Sequence, residues 1–394
     1  MRETGRRIFL AGGGTGGHLY PGLAIAEAIR NLRADSAVAF SCTRREIDRK
    51  ILSSCGYPVT PMAAQPFRSG APWTWLEFAA SFVRADFQAR RRFREFCPDV
   101  VVGLGGFGSY APVLAGLKCG AATAVLNPDI VPGRANRRLA RRVDRVFCQF
   151  EETAAALGPQ ARLTGCPVRP SLLGQSRDEG RAAFGLDPER RTLLVTGASL
   201  GARTVNRAVV AWLKARGLPE GWQVLHLTGH GEYEEVSAAY RALPVAAAVR
   251  PYAERMGLAY AAADLVVARA GASTIAELLA VGLPAILVPY PFHRDQHQRR
   301  QARAVESLGA AVVVEDRGDE ADGWRKLGEV LEVLATDASR LERMGERARA
   351  VGRPRAAEEI ALEILKLADE VTERRHAGFR RDIETAGRGV DKAP

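Results

Sequence analysis

The sequence predicts an α/β protein of two similar domains, each built on a parallel β-sheet. The chain has 394 residues, too many for one ordinary core and suited to two domains of about 150 to 200 residues each. Short apolar, β-prone runs alternate with amphipathic helical stretches, which is typical of a parallel sheet. This alternation restarts at Thr192 with a strand and a glycine turn, as at the start of the chain.

The alternation also predicts the order of the elements. Strands are expected at residues 7–11, 37–42, 100–103 and 123–126 in the first half, and at 193–195, 223–227, 265–268, 285–288 and 311–314 in the second. We expect a first domain at 1–165, a linker rich in proline, glycine and charge at 166–190, and a second domain at 191–370. Residues 371–394 are charged and lack apolar periodicity, which predicts a disordered tail.

Composition excludes several classes of protein. With 47% apolar and 26% charged residues, the chain is neither disordered nor a multi-span membrane protein. The apolar run Ile8–Ala11 is too short for a signal peptide or a spanning helix, which predicts a cytoplasmic protein. The six cysteines show no CxxC pair or metal-ligand spacing, so we expect reduced thiols and no metal site. The net charge of +11 suits nucleic acid, anionic lipid or phosphorylated substrates without choosing among them.

A first glycine turn, Gly12–Gly17, ends the first predicted strand. Its glycines let backbone amides approach an anionic or sugar ligand at a helix N-terminus. His18 opens that helix, where it could act on a bound hydroxyl or simply cap or pack the helix. The turn also satisfies G-x-G-x-x-G, but a dinucleotide site needs an acidic residue after the second strand, where this chain has Thr43, Arg44 and Arg45. An NADP-dependent dehydrogenase using those arginines is an alternative.

A second glycine turn, Gly105–Tyr110, follows the strand at 100–103. Open parallel sheets bind ligands at the edge formed by the carboxyl ends of their strands, and both glycine turns should lie at that edge. A plain strand-to-helix turn is the alternative.

The second half carries three candidate binding segments. Thr196–Arg203 follows a strand and leads a helix carrying Asn206, an arrangement whose amides and positive helix end suit a diphosphate. The run 269–274 begins the helix of Glu277, a carboxylate that could accept both ribose hydroxyls or be merely solvated. Residues 289–298 offer amides and imidazoles for sugar hydroxyls. No D-x-D pair is present, so amides and helix dipoles should meet the leaving-group charge instead of a metal.

In these motifs the chain resembles the MurG family of bacterial peptidoglycan N-acetylglucosaminyltransferases, in glycosyltransferase family 28. The matching segments fall in order over about residues 7–365 and read GGGTGGHLYPGLAIAEAI, GLGGFGSYAP, PGRAN, TGASLGARTVN and RAGASTIAELLAVGLPAILVPYP. The resemblance implies a GT-B fold, in which two Rossmann-like domains face each other across a cleft. It further implies inverting transfer of GlcNAc from UDP-GlcNAc to the 4-hydroxyl of a muramoyl-pentapeptide diphosphoryl-polyprenol, the step from lipid I to lipid II, without a cofactor or an essential metal.

The resemblance also assigns roles to residues, with His18 as the general base. The donor-binding set that it implies is Ser199, Gly201, Arg203, Asn206, Arg269, Gly271, Ser273, Thr274, Glu277, His297 and Gln298. The acceptor-binding set is Thr15, Gly16, Gly17, Gly106, Phe107, Ser109, Asn127, Asp129, Asn136 and Arg169.

The chain departs from the family pattern in one short segment and at one further residue. Where the family usually has His-Glu-Gln-Asn, this chain has Leu126-Asn127-Pro128-Asp129, so Asn127 stands at the usual carboxylate position. Asp129 is a candidate to restore the carboxylate. Gln301 stands where the family commonly has asparagine.

Membrane association is expected through the first domain. A stripe at helical spacing, Leu76, Ala79, Ala80, Val83 and Phe87, is predicted to face the sheet. This would leave for the lipid interface Trp73, Trp75, Phe78 and Phe82, beside Arg90, Arg91, Arg92 and Arg94. We therefore expect a peripheral protein on the cytoplasmic face of the inner membrane, with an anionic membrane surface and cell-wall synthesis proteins as partners and no nucleic acid.

Alternatives to this function come from different classes. A related GT-B enzyme could transfer a hexose from its UDP donor to another membrane lipid. A catalytically lapsed homologue could bind the donor without turnover because of Asn127. The NADP-dependent dehydrogenase is the third alternative.

Overall fold

The chain forms two compact units. A computed structural model describes residues 5–53, 55–65, 72–197, 201–293, 295–318 and 323–390. The first unit comprises Met1–Asn127, Pro132–Thr164 and Ala356–Pro394, and the second comprises Pro128–Val131 and Gly165–Arg355.

The first unit is a parallel sheet covered by helices. Its strands are β1 (Arg7–Ala11), β2 (Ala37–Cys42), β3 (Val59–Pro61), β4 (Val100–Gly103), β5 (Ala122–Asn127), β6 (Arg145–Cys148) and β7 (Ala161–Leu163). They lie in the order β3-β2-β1-β4-β5-β6-β7. The helices between them are α1 (Gly16–Leu32), α2 (Glu46–Ser53), α3 (Pro72–Phe96), α4 (Tyr110–Lys118), α5 (Arg134–Leu139) and α6 (Glu151–Leu157).

The core of this unit lies on both faces of the sheet, as expected for parallel strands with continuous apolar runs. Ile8 and Leu10 of β1 pack on one face with α1, and Phe9 packs on the other. All three side chains are fully buried. The ring of Phe9 contacts that of Phe93 in α3 edge to face, with 4.9 Å between centroids.

The second unit repeats the architecture with a shorter sheet. Its strands are β8 (Arg191–Thr196), β9 (Trp222–Leu227), β10 (Ala247–Arg250), β11 (Leu265–Ala268), β12 (Ala285–Leu287) and β13 (Ala311–Val313), in the order β10-β9-β8-β11-β12-β13. All their pairings are parallel. The helices are α7 (Arg177–Phe184), α8 (Arg203–Arg216), α9 (Tyr233–Arg241), α10 (Met256–Ala262), α11 (Ala272–Val281), α12 (His297–Ser307), α13 (Arg325–Thr336) and α14 (Ala338–Val351).

The predicted linker and tail boundaries are wrong. Residues 166–190 contain helix α7, which packs on α10 in the second unit, and an added Cβ at Gly180 would lie 2.4 Å from the Leu258 carbonyl oxygen. The final helix, α15 (Ala356–Val390), belongs to the first unit instead of the second and continues through most of the predicted tail. Ile360 and Ile364 are fully buried against the first sheet, and Arg375 pairs with Asp99 at 2.7 Å. The apolar spacing in this helix fits either unit, so sequence adjacency alone assigned it to the second.

Helix α3 also turns a different face to the core than the sequence predicted. Ala85, Ala89 and Phe93 are buried, whereas the stripe expected to face the sheet is on the surface. The exposed fractions are 72% for Leu76, 64% for Val83 and 63% for Phe87. The helix carries apolar residues on more than one face, so periodicity does not decide which one packs. Among the residues described, no helix is both long and apolar enough to cross a membrane.

Candidate active site

The two glycine turns of the first unit meet at His18. They follow β1 and β4, which are neighbours in the sheet, so both lie at its carboxyl edge as predicted. A Cβ added to Gly105 would lie 2.9 Å from Cδ2 of His18, and one added to Gly106 would lie 3.2 Å from Cε1. A side chain at Gly105 or Gly106 would therefore press against the imidazole.

His18 lies in the first turn of α1 and is half-buried. Its Nδ1 is 3.1 Å from the hydroxyl oxygen of Thr15, the exposed residue that precedes the helix. A hydroxyl donating to Nδ1 would leave Nε2 as the protonated nitrogen, whereas the opposite direction would leave Nε2 able to accept a proton. Gly16 and Gly17 open the same helix, so amides and imidazole converge at one point.

Two residues of the second glycine turn, Phe107 and Ser109, lie in different environments. The Phe107 ring is half-buried and lies 5.4 Å from the guanidinium carbon of Arg45. Ser109, predicted to bind acceptor, is wholly buried, and its hydroxyl donates to the Gly106 carbonyl oxygen at 2.9 Å. The Ser109 hydroxyl therefore holds the turn, and the acceptor contact predicted for this residue stays a prediction.

Asn127 and Asp129, the two candidates for the family carboxylate, belong to different units. Asn127 ends β5 and is buried, and its Oδ1 accepts from Nδ2 of buried Asn136 at 3.0 Å. The Asn136 amide also donates to the Leu126 carbonyl oxygen at 3.0 Å. Asp129 lies in the second unit, where its charge acts to raise the pKa of His293 against the larger lowering effect of burial. The proposal that Asp129 restores the carboxylate missing at Asn127 stays a prediction.

A cavity of about 490 Å³ adjoins the first glycine turn. Arg44 and Arg45 line it together with the rings of Phe78 and Phe107. The candidate acceptor side of the first unit thus combines an imidazole, helix-start amides, guanidinium groups and aromatic rings.

In the second unit, the loops after β8, β11 and β12 lie at the carboxyl edge of the sheet. Ser199 in the first of these loops lies outside the described residues. Gly201 has φ +76°, and a Cβ there would lie 2.3 Å from the Thr228 carbonyl oxygen, so the position requires glycine. Arg203 begins α8 and is exposed, as a ligand contact requires.

Asn206, predicted to bind the donor, is instead a core residue. It is wholly buried, its Nδ2 donates to the Thr228 carbonyl oxygen at 2.9 Å, and its Oδ1 is 3.1 Å from Nε2 of His226. Burial lowers the pKa of His226 to about 3, so that imidazole is neutral. The sequence shows only a polar residue near a glycine turn and not where its side chain points, so the predicted donor contact of Asn206 stays a prediction.

Arg269 likewise contacts protein groups. Its guanidinium pairs with Asp316 at 2.6 Å and donates to the Thr204 hydroxyl at 2.7 Å and to the Val288 carbonyl oxygen at 3.1 Å. These partners follow β13, begin α8 and end β12, so one side chain joins three segments of the carboxyl edge. Arg269 therefore holds this edge, and the donor contact predicted for it stays a prediction.

Helix α11 starts at the same edge and carries Glu277. Gly271 caps the helix, and the Thr274 hydroxyl makes no hydrogen bond with any described residue. Ser273 hydrogen bonds to the thiol of buried Cys166. Glu277 accepts from the Tyr260 hydroxyl at 2.8 Å, and burial raises its pKa although Tyr260 and Arg169 act in the opposite direction. Arg169, predicted to bind acceptor, therefore belongs electrostatically to the Glu277 site of the second unit.

The loop after β12 forms a histidine pair. The rings of His293 and His297 stack with 4.3 Å between centroids, and His297 Nδ1 is 2.7 Å from an Asp295 carboxylate oxygen. Gln298 accepts from the Tyr290 amide at 3.0 Å. His297 and Gln298 are both half-buried at the first turn of α12, with their polar atoms partly committed to the loop.

Three polar residues at these sites were missed by sequence reasoning. Asp48 is fully buried beneath the first glycine turn, Asp316 holds Arg269, and Tyr260 holds Glu277. None lies in a glycine motif. The available signal for Asp48 was an acidic residue on the helix after β2, close to where a dinucleotide site has its carboxylate. Within the described part of the chain, no cluster of three or more histidine, cysteine, aspartate or glutamate residues could hold a metal ion.

Two parallel-sheet units of this kind define the class of proteins with two Rossmann-like domains. The sequence matches the glycosyltransferase family 28 N-terminal domain over residues 8–148 and the C-terminal domain of that family over residues 192–360. The chain therefore belongs to glycosyltransferase family 28, in its MurG group. The NADP-dependent dehydrogenase alternative is wrong.

Similar proteins support this assignment along nearly the whole chain. A protein of Desulforudis audaxviator is 38% identical, covering 93% of this chain and 100% of its own, and one of Nocardioides sp. is 42% identical, covering 92% and 98%. Both are named UDP-N-acetylglucosamine–N-acetylmuramyl-(pentapeptide) pyrophosphoryl-undecaprenol N-acetylglucosamine transferase. The crystal structure of Acinetobacter baumannii MurG is 25% identical, with a TM-score of 0.72 over 92% of this chain and 99% of that chain. The GT-B fold is confirmed by this similarity.

Proposed function

We propose that this enzyme transfers GlcNAc from UDP-GlcNAc to the muramyl sugar of a pentapeptide-bearing, pyrophosphate-linked polyprenol. The names of its relatives describe this transfer. The observation that carries the proposal is the meeting of two glycine turns at His18, in the unit that the donor motifs do not occupy.

In the proposed mechanism, the 4-hydroxyl oxygen of the acceptor attacks C1 of GlcNAc from the face opposite UDP. The new C1–O bond forms as the bond from C1 to the diphosphate breaks, so the configuration at C1 inverts. His18 takes the hydroxyl proton, and UDP leaves with the bonding electron pair. The starts of α8 and α11 direct amides and positive helix ends towards the leaving diphosphate.

Product analysis tests the proposed reaction. Wild-type enzyme with UDP-GlcNAc and a muramoyl-pentapeptide lipid should yield a product heavier by one N-acetylhexosamine, and UDP-glucose or UDP-galactose should not replace the donor. Turnover that prefers a hexose donor would favour a different glycosyltransferase. Donor binding without turnover would instead favour the lapsed homologue.

The His18→Ala variant tests the proposed base. Turnover should fall by about two to four orders of magnitude, the usual span for general-base help, while UDP affinity is unchanged because the donor motifs lie in the second unit. His18→Gln is the matched control for packing, since it keeps a polar side chain of similar length but cannot take the proton. Turnover close to wild type in both variants would remove His18 from the reaction.

We also propose that the exposed stripe of α3 docks on an anionic membrane surface. Leu76, Val83 and Phe87 form an apolar face, and Trp73 and Trp75 add exposed aromatic rings at the start of the helix. The exposed arginines Arg84, Arg91 and Arg94 form no ion pair with any described residue, whereas Arg90 and Arg92 pair with Asp86 and Glu95. Apolar and aromatic groups insert at the headgroup level, while guanidinium groups interact with anionic lipid. Each arginine near the surface contributes about 1 kcal/mol of binding free energy, and less at higher salt.

Vesicle cosedimentation tests this docking surface. Wild-type protein should bind vesicles containing anionic lipid in a salt-sensitive manner, and the triple variant Leu76→Ser, Val83→Ser, Phe87→Ser should lose that binding. Val333→Ser, which removes an exposed apolar residue of the second unit, is the control. Equal binding by the triple variant and the wild type would contradict the proposal.

A further inference from the structure

Residues 43–48, which run from the end of β2 into α2, surround the first glycine turn. Sequence reasoning singled out Thr43, Arg44 and Arg45 as a weak cofactor site, and the proposed reaction leaves them without a role. In the structure this segment contacts the glycine turn through two side chains, a carboxylate from below and a guanidinium from above.

Asp48 holds the turn through its backbone amide. The carboxylate is fully buried and accepts from the Gly14 amide at 2.9 Å and 2.8 Å, one distance for each oxygen. It also accepts from the Thr43 amide at 3.1 Å and the Thr43 hydroxyl at 2.5 Å. A Cβ on Gly13 would lie 2.4 Å from Oδ2 of Asp48, so the carboxylate fills the space that a side chain there would need.

Arg45 binds the same glycine, Gly14, through its carbonyl oxygen. Its Nη1 donates to the Gly14 carbonyl oxygen at 2.9 Å, and its guanidinium lies over the Phe107 ring of the second glycine turn at 5.4 Å. The amide and the carbonyl of Gly14 are therefore both committed to protein partners. An external anion cannot use the Gly14 amide without displacing Asp48, which also explains physically why the G-x-G-x-x-G match is not a dinucleotide site.

We propose that Asp48 is a positioning residue for the acceptor half of the reaction, acting through Gly14 on the turn that carries Thr15 and His18. This inference rests on the proposed function. A buried carboxylate satisfied by backbone and hydroxyl donors fixes the glycine turn, which would otherwise sample many conformations. The fixed glycine turn sets the positions of Thr15 and His18 relative to the second glycine turn. The acceptor hydroxyl is proposed to react where these groups meet.

Asp48→Asn is the direct test, because asparagine keeps the shape but replaces one acceptor oxygen with a donor that opposes the Gly14 or Thr43 amide. Asp99→Asn is the matched control. Asp99 is a buried carboxylate at the opposite, amino-terminal end of the same strand pair, where it accepts from the Arg7 amide at 2.9 Å and from Arg375 at 2.7 Å. Both variants remove a charge that holds β1 or the turn after it, so they should lose comparable thermal stability.

The kinetic readout separates positioning from stability. For Asp48→Asn we expect kcat/KM for the muramoyl lipid to fall by roughly 10- to 100-fold, since misplacement by about 1 Å can cost 10²-fold, with UDP affinity unchanged. For Asp99→Asn we expect no change in kcat/KM at temperatures where the protein is folded. An equal fall in both variants, or none in Asp48→Asn, would overturn the proposal.

A second readout does not depend on the reaction at all. Amide hydrogen exchange measured on the peptide covering residues 12–17 should be slow in the wild type and in Asp99→Asn, and faster in Asp48→Asn. If wild-type enzyme fails to glycosylate the muramoyl lipid but exchange behaves as stated, the proposed function fails while Asp48 still fixes the turn. If exchange is unchanged, Asp48 does not fix the turn, whatever the acceptor.

Thr43→Val provides the milder variant in case Asp48→Asn does not fold. It is nearly isosteric and removes only the hydroxyl that donates to Asp48. Exchange at residues 12–17 and kcat/KM should then change in the same direction by a few-fold, and wild-type values for both would count against the proposal.

Discussion

Replacing Glu277 with glutamine should stabilise the free enzyme and weaken its binding of UDP. The carboxylate is half-buried beside Tyr260, and burial raises its pKa even though the Tyr260 hydroxyl and the Arg169 charge favour the ionised form. A raised pKa in an acid means that the ionised form costs free energy in the folded state. Glutamine removes that charge while its carbonyl oxygen still accepts from Tyr260.

Glu277→Gln should change UDP affinity and the stability of the free protein in opposite directions. A hydrogen bond to a charged group is worth about 1.5–3 kcal/mol and one between neutral groups about 0.5–1.5 kcal/mol, so exchanging one or two ribose contacts should cost about 1–3 kcal/mol. This corresponds to UDP affinity that is weaker by roughly 5- to 150-fold. The melting temperature of the free protein at neutral pH should rise.

Glu277→Ala is the control that separates charge from packing. It should weaken UDP binding at least as much, but it leaves the buried Tyr260 hydroxyl without its acceptor, which costs about 1–3 kcal/mol of stability. The free alanine variant should therefore melt below the wild type, while the glutamine variant melts above it.

The pH dependence follows from the same shift. Because the folded-state pKa lies above the usual value of 4.5, ionisation opposes folding at neutral pH and this opposition disappears as the pH falls through the folded pKa. The stability difference between Glu277→Gln and the wild type should thus be largest at neutral pH and shrink towards pH 4.5. Calorimetry with UDP and thermal unfolding at several pH values measure both effects. Unchanged UDP affinity, or a glutamine variant that melts below the wild type at neutral pH, would refute the reasoning.

Further predictions concern packing and chemistry away from Glu277. Asp316→Ala should lower the free energy of unfolding by about 3–5 kcal/mol, because it leaves the largely buried Arg269 guanidinium unpaired. Glu329→Ala, in the exposed pair with Lys326, should cost less than about 1 kcal/mol, and urea titration compares the two variants. Ile364→Ala, in the last helix, should cost about 2–5 kcal/mol, and similar stability in the two proteins would contradict its place in the first core. In a thiol titration of native protein, exposed Cys97 and Cys119 should react, and the fully buried thiols should react only after unfolding.

Much of the fold could be predicted because buried parallel strands are short apolar runs. The strands at 7–11, 37–42, 100–103 and 265–268 are confirmed with their predicted bounds, and the other predicted strands agree within two residues at either end. The strands that were missed are Val59–Pro61, Arg145–Cys148, Ala161–Leu163 and Ala247–Arg250. Each is short, three of them are edge strands and the fourth lies next to an edge, where a strand needs fewer apolar residues and its pattern resembles that of a loop.

The sequence pattern could not predict which face of a helix packs on the core, or which unit a helix joins, where several choices were compatible with it. Helix α3 has apolar residues on more than one face, and the choice between them depends on how α3 meets the sheet and α4. The last helix follows the second unit in sequence, but its buried isoleucines complete the first core. Long-range partners decide both cases, and local periodicity contains no information about them.

The candidate sites show the same limit at the level of single side chains. A polar residue in a glycine motif can meet the ligand or satisfy the backbone that forms the motif, and the motif looks the same in either case. Buried polar groups must find protein partners, so full burial assigns Asn206 and Ser109 to the second task. His18 and Glu277 are only partly buried as residues, which is compatible with the substrate contacts proposed for them. Because each of these two lies in a different unit, variants in one unit should change acceptor kinetics or donor affinity separately, and a variant of either residue that changes both would show that the assignment by burial is insufficient.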